Sequence, residues 1–296
     1  MSQRLRPQRS VRFSTGSPAQ RRRATLLVLP ALVPAVFVVV GGVGAAALQS
    51  LGLMPLVGPG RLSVDAYTGQ ADDLFRALGL SLTIAVASTV IAALVGMGTA
   101  LLIVGGRWCG RIVAVTSAAT VTVPHLVGAA SVGLLLADSG VLARVFGVPP
   151  ELWPSLVGGP WWVAVVAEYA WKESAFIGLV VAGTLITRVA RFDETAALLG
   201  AGRWKRFRFV MLPLALPALA ISSTIAFVYS LGSYEVAWLL GRTYPEPLAV
   251  MALRLFNSVT LTARPEAAAA GVLTALVSFL IVGLCFWALR KTAVWR

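Results

Sequence analysis

Six long apolar runs alternate with polar segments along the 296-residue chain. They cover about Ala24–Ala47, Ala77–Val104, Ile112–Ala137, Pro160–Ile186, Pro213–Leu240 and Ala267–Leu289. Each reaches the ~20 residues that a helix needs to cross a bilayer core. The pattern predicts an all-α membrane protein with six transmembrane helices and both ends of the described pattern on one side. Between the runs lie loops at 48–76, 105–111, 138–159, 187–213 and 241–266, and the stretch Leu248–Phe256 within the last of these predicts a short interfacial helix. Pro124, inside the third run, predicts a kink or an opening in the hydrogen-bond ladder. Small residues at Gly96 and Gly98, Ala129 and Gly133, and Gly178 and Ala182 predict close helix approach.

Charge adds sidedness. Hydrophobic residues make up 58% of the chain and charged residues 12%, with a net charge of +13. In a soluble domain that excess would point to nucleic acid. Here, of the 25 Lys and Arg, 18 fall in residues 1–23, 105–111, 187–213 and 290–296, against six in the other three loops. The positive-inside rule therefore puts both termini and the 187–213 loop in the cytoplasm, and no nucleic-acid partner is expected. Residues 1–23 read as a disordered basic cytoplasmic tail. Arg21-Arg22-Arg23 before an apolar run has the look of a twin-arginine signal, but the run is longer than a signal core and is expected to stay as a helix.

The 187–213 loop is the one long basic interruption deep in the apolar sequence. Asp193 and Glu194 are expected to open a short helix, where acids suit the positive end. Thr195, Ala196 and Ala197 are small, and Gly200 is expected to end that helix. Arg203 and Trp204, with Phe207 and Phe209, would form a second helix at the membrane interface, and Pro213 would open the fifth span.

Acids inside spans are costly and default to functional roles. Glu168 and Lys172 stand four apart on the fourth span and are expected to pair, with Glu173 on another face. Tyr229, Ser233 and Glu235 gather near the outer end of the fifth span. These six are candidate lining of a translocation path, and Glu173 and Glu235 would serve a cationic solute. His125, the single histidine, is assigned to packing or hydrogen bonding. Asp72-Asp73 resembles the acidic pair of membrane prenyl-transfer enzymes, but no second acidic motif accompanies it, and a helix start explains it. The two cysteines, Cys109 and Cys285, allow no disulfide framework or metal site. None of the three lysines ends a phosphate-binding loop, so no cofactor is expected on this chain.

Glu194-Thr195-Ala196, three residues, Gly200, nine residues, then Val210-Met211-Leu212-Pro213 resembles the EAA loop of ATP-binding-cassette importer permeases. Thr195 stands where that motif has Ala, and Val210 where it has Ile. Trp171-Lys172-Glu173 with Phe176, Gly232-Ser233-Tyr234-Glu235-Val236, and Ala263-Arg264-Pro265-Glu266-Ala267 resemble the branch that imports polyamines, iron, thiamine or phosphonates. The resemblance spans roughly residues 70–290. It implies a type I ABC importer permease fold in the bacterial inner membrane, with ATP used by separate ATPase subunits seated on the 193–213 loop. It also implies a second permease subunit, a homologue rather than a copy, and an extracytoplasmic binding protein that delivers the solute. Two other classes compete. An ion-gradient secondary transporter would show an internal repeat and broken midplane helices, and a membrane-embedded transferase would need a catalytic constellation.

Overall fold

The structure, a computed structural model, describes residues 18–106 and 108–291, and the side chains of these except at 18–21, 24, 188–191 and 194. Most of the tail predicted at 1–23, Arg107, and the end of the C-terminal segment 290–296 lie outside the described residues. Among the described residues there is no strand, and six helical stretches are long and apolar enough to cross a membrane.

The chain divides into two units, residues 1–45 and 46–296. The described residues of the first belong to a helix, α1 (Pro18–Ser50), with Pro30 and Pro34 inside it and its described side chains largely exposed. It begins six residues before the predicted run, so residues 18–23 are helical rather than tail. Nothing at Ala19–Arg23 breaks a helix, and Pro18 fits a first turn.

The second unit is built on two long helices. After a one-turn helix, α2 (Asp65–Thr68), α3 runs over Ala71–Val104, six residues earlier than hydropathy placed its start. Asp72 and Asp73 occupy its first turn, where they complement the helix dipole. The third run is split. α4 (Trp108–Thr122) ends before Val123-Pro124, and α5 (His125–Leu136) begins after them, followed by α6 (Val141–Phe146). Proline's missing N–H and its steric effect on the preceding residue account for the break. α7 (Val163–Leu198) then continues for 36 residues without interruption. α8 (Arg203–Arg206) leads through a π-helical turn at Phe207–Met211 into α9 (Leu212–Gly232). A second break at Ser233-Tyr234 separates α10 (Glu235–Leu240), and α11 (Leu248–Phe256) and α12 (Arg264–Lys291) complete the unit.

α3 and α7 pack together most extensively. A Cβ added at Gly96 would lie 2.9 Å from Ile177 Cβ and 3.0 Å from the Ser174 carbonyl, and one at Gly178 would lie 2.6 Å from Thr99 Cγ2. The two glycines, one on each helix, let the backbones meet, as small residues do in membrane interiors. Gly98 meets nothing within 4 Å and plays no such part. Around the contact, Ala92, Met97, Ala100, Ile177, Val181 and Leu185 form a buried core with Ala215 and Ala226 of α9. A second core joins Ile84, Ala129, Val165 and Tyr169 to Val236 and Leu240 of α10. At the far end Tyr244 donates its hydroxyl to Asp73 (2.8 Å) and accepts from Arg76 (3.0 Å), while Glu246 accepts from Arg254 (2.8 Å).

Overpacking a close contact costs about 1–3 kcal/mol. Gly96→Leu should lower the melting temperature of the detergent-purified protein, whereas Gly98→Leu should leave it unchanged; a thermal-shift assay on both decides.

Candidate functional site

The motif of the 187–213 loop forms a clamped hairpin. Asp193 and Glu194 do not start a helix as expected; they lie within α7, which carries the helical path on to Leu198. The stretch Arg188-Val189-Ala190-Arg191 holds no glycine or proline, so nothing stops the fourth span from extending. Asp193 is instead an ion-pair partner. Its carboxylate accepts from Arg206 of α8 in bidentate fashion, with Nε to Oδ1 at 2.7 Å. Gly200, at φ +81°, turns the chain between the two helices, as expected of it. Glu194's side chain is outside the described residues.

Small and apolar residues make the tip. Thr195 and Ala197 are exposed, Ala196 half-buried, and Leu198 and Leu199 are 88% and 83% exposed. Trp204 is 71% exposed, and its ring lies 5.6 Å from that of Phe207. Arg203 is exposed beside it. Leu198 and Leu199 were missed as site residues; their signal was two consecutive leucines in a polar loop. Val210, Leu212 and Pro213 belong to the root of the hairpin. Pro213 does not open a separate span, because α8, the π turn and α9 form one continuous helical path. The wide turn directly before Pro213 accommodates the proline ring, which would clash in a regular α-helix. Phe207, Met211 and Leu212 pack against the Ile177–Leu185 core.

The second group lies in the membrane body. Glu168, Lys172, Glu173 and Tyr229 come together, but not as pairing along one helix predicts. Glu168 and Lys172 form no ion pair among the described residues. His125, on α5, stands between the acids, with Nδ1 3.3 Å from Glu168 Oε1 and Nε2 3.7 Å from Glu173 Oε1. The Tyr229 ring lies 4.4 Å from the imidazole, and Tyr169 closes the group at 6.3 Å. His125 and Tyr169 were missed: one because it sits on a different element, the other because a tyrosine in an apolar run carries no pattern.

Lys172 points toward the broken helix. Its Nζ donates to the carbonyls of Thr120 (3.2 Å) and Val123, at the end of α4. On the other side, Tyr169 donates to the Ser233 carbonyl (3.3 Å) at the break after α9. α7 thus supplies a donor to each interrupted neighbour. Ser233 takes part through its backbone, while Glu235 stands apart in the first turn of α10 and forms no ion pair among the described residues. No group of three His, Cys, Asp or Glu among the described residues is placed to hold a metal.

A catalytic centre brings reactive groups to one bond; here the polar groups are spread along a seam between helices, next to two breaks, with a rigid knob at one end. That is the construction of a membrane transport protein. Residues 92–292 match the profile described as binding-protein-dependent transport system inner membrane component, and the chain belongs to that family. It is 28% identical over 210 residues to the inner membrane ABC transporter permease protein YnjC of Escherichia coli K12, across 68% of this chain and 39% of that protein. To the putrescine transport system permease protein PotI of the same strain it is 29% identical over 224 residues, 75% of this chain and 74% of the relative. The chain thus spans well under half the length of some curated relatives. In fold it is similar to a subunit of a bacterial ABC transporter involved in the import of alginate, with TM-score 0.69, 19% identity, and 93% and 99% of the two chains covered. A second structure of the alginate system, in complex with an alginate-bound periplasmic protein, matches at TM-score 0.68 and 19% identity, covering 90% of this chain and 95% of that one. The six apolar helices and this likeness agree with the type I ABC importer permease fold expected from the sequence.

Leaving a buried backbone carbonyl without its donor costs about 1–3 kcal/mol. Lys172→Met should lower the melting temperature more than Tyr169→Phe, since Lys172 serves two carbonyls and Tyr169 one; a thermal-shift comparison of the variants with the parent protein checks the order.

Proposed function

We propose that this chain is the transmembrane subunit of an ATP-driven importer of the bacterial cytoplasmic membrane. It forms half of the translocation path, and a second permease subunit, a homologue rather than a copy, forms the other half. A soluble binding protein delivers the solute from outside, and the similarity to a putrescine permease favours a polyamine-like solute. The chain binds no nucleotide; separate ATPase subunits use the ATP.

The observation that carries this reading is the clamped hairpin. Exposed apolar side chains at a cytoplasmic tip, rimmed by Arg203, Lys205 and Arg208, fit a groove on a partner protein. The Asp193–Arg206 pair and the unbroken helical paths on both sides make the knob stiff. A displacement of the ATPase is therefore carried into α7 and α9, which bear the residues of the membrane cluster. Transport requires two states of this body whose balance ATP shifts elsewhere.

Interrupted membrane helices also mark ion-gradient transporters. The hairpin has no role there, and family membership favours the ATP-driven reading. The transferase reading loses its acidic pair, since Asp73 is engaged by Tyr244.

Gly200→Pro cannot keep a positive φ. It should leave the protein in the membrane at normal level and reduce ATP-dependent uptake at least tenfold; unchanged uptake in membrane vesicles would oppose the coupling role. For sidedness, Cys109 is exposed and Cys285 half-buried. In a Cys285→Ser background, a membrane-impermeant maleimide should label Cys109 in inside-out vesicles and not in intact spheroplasts.

A further inference from the structure

His125 is the only histidine of the chain. Each of its ring nitrogens lies within ion-pair distance of a different carboxyl group on α7, Nδ1 at 3.3 Å from Glu168 Oε1 and Nε2 at 3.7 Å from Glu173 Oε1. A neutral imidazole carries one N–H and one lone pair, so it turns that lone pair on one of the two acids. An imidazolium carries an N–H on both sides and suits both.

Burial makes the mismatch costly. Glu168 is fully buried, and neither of its carboxyl oxygens has a hydrogen-bond partner among the described residues. Nδ1 of His125 is likewise without one. α5 presses on this carboxyl at Gly128, where an added Cβ would lie 2.9 Å from Glu168 Oε1 and 3.2 Å from Lys172 Cδ. Charge in such a place has to be matched by the protein. Lys172 offers one positive charge against two carboxylates, and an imidazolium supplies the second.

The surrounding elements bring nothing else to balance the acids. Tyr169 of α7 and Tyr229 of α9 flank the ring with hydroxyl groups. Glu235, half-buried in the first turn of α10, adds a further acid. Arg144 sits in the last turn of α6, and Cys109 and Arg111 sit at the end of α4 away from His125. The other charges of α7 begin at Arg188, about four turns further along.

Access comes from one side. A cavity of about 350 Å³ between α4, α5, α7 and α9 is lined by His125 and Glu173 and not by Glu168. The imidazole thus stands between the cavity and the buried carboxyl.

We propose that this cluster is a proton-binding site, and that the bound proton, held as the imidazolium of His125, latches α5 to α7. A proton taken up from the cavity forms the second ring N–H. Its release to the cavity leaves a lone pair facing a carboxylate. α5 begins at His125, directly after the break at Val123-Pro124, so loss of the latch frees that end of the helix to swing at the break. The inference goes beyond the transport reading and needs neither a nucleotide nor an identified solute.

The single histidine makes the proton directly visible. The full chain, purified without a polyhistidine tag and carrying histidine labelled in its ring nitrogens, is placed in lipid nanodiscs. NMR then follows the ring between about pH 5 and about pH 9, a window that includes the one in which histidine side chains change charge. Both nitrogens should bear hydrogen at the acid end. Glu173→Gln should weaken the affinity for that proton at least tenfold, Glu173→Asp should weaken it less, and Glu151→Gln, remote from the cluster, should not change it. A neutral ring throughout, or equal proton affinity in the parent and Glu173→Gln, overturns the proton site. The latch is read from spin labels at Leu134→Cys on α5 and Ile186→Cys on α7, with Cys109→Ser and Cys285→Ser removing the native thiols. Their separation should change between the two ends of the pH range, and should stay constant when His125→Gln is added. A constant separation without that substitution, or the same change with it, overturns the latch.

Discussion

A peptide group inside the hydrocarbon layer has no water to turn to, so any break in a membrane helix must be answered by the protein itself. Here the answer comes from one helix. α7 runs uninterrupted beside two broken neighbours and supplies Lys172 to the carbonyls freed at the end of α4 and Tyr169 to the one freed after α9. Those donors satisfy carbonyls at the points where the third and fifth spans open. The contact of Gly96 and Gly178 that seats α7 against α3 is what brings this splint within reach.

The same helix joins the two regions that matter. Glu168, Lys172 and Glu173 lie in its first third, and Asp193 lies near its end, clamped to Arg206. A rotation or tilt begun at the tip reaches the acids without crossing a flexible joint. α9 gives a parallel route, from Trp204 through the π turn to Tyr229. Both limbs of the hairpin are thus continuous with helices that carry groups of the buried cluster.

Much of this architecture was legible in the sequence. Length and hydropathy located the spans, because lipid tolerates few alternatives. Pro124 announced its break through chemistry local to one residue, and the Leu248–Phe256 stretch is α11 as expected. Gly200 turns where its neighbours required a turn. What stayed hidden was pairing across distance. Spacing by four joined Glu168 to Lys172, but His125 from another helix stands beside the carboxyl, and backbone carbonyls took the lysine. Asp193 looked like a helix-starting acid because its partner lies 13 residues away across a turn. The start of that supposed helix was misplaced for a simpler reason: charge was read as a boundary where no residue breaks a helix. In the seam, Tyr169 gave no warning, since its role depends on where α9 happens to end.

The wide turn at Phe207–Met211 has a geometric consequence of its own. A residue inserted into an α-helix rotates everything beyond it by about 100° about the axis. That single turn therefore fixes the compass bearing of Trp204 relative to Tyr229, so that one is exposed at the hairpin while the other meets the imidazole. The proline that calls for the bulge is, in effect, the part that keeps the handle aligned with the lock.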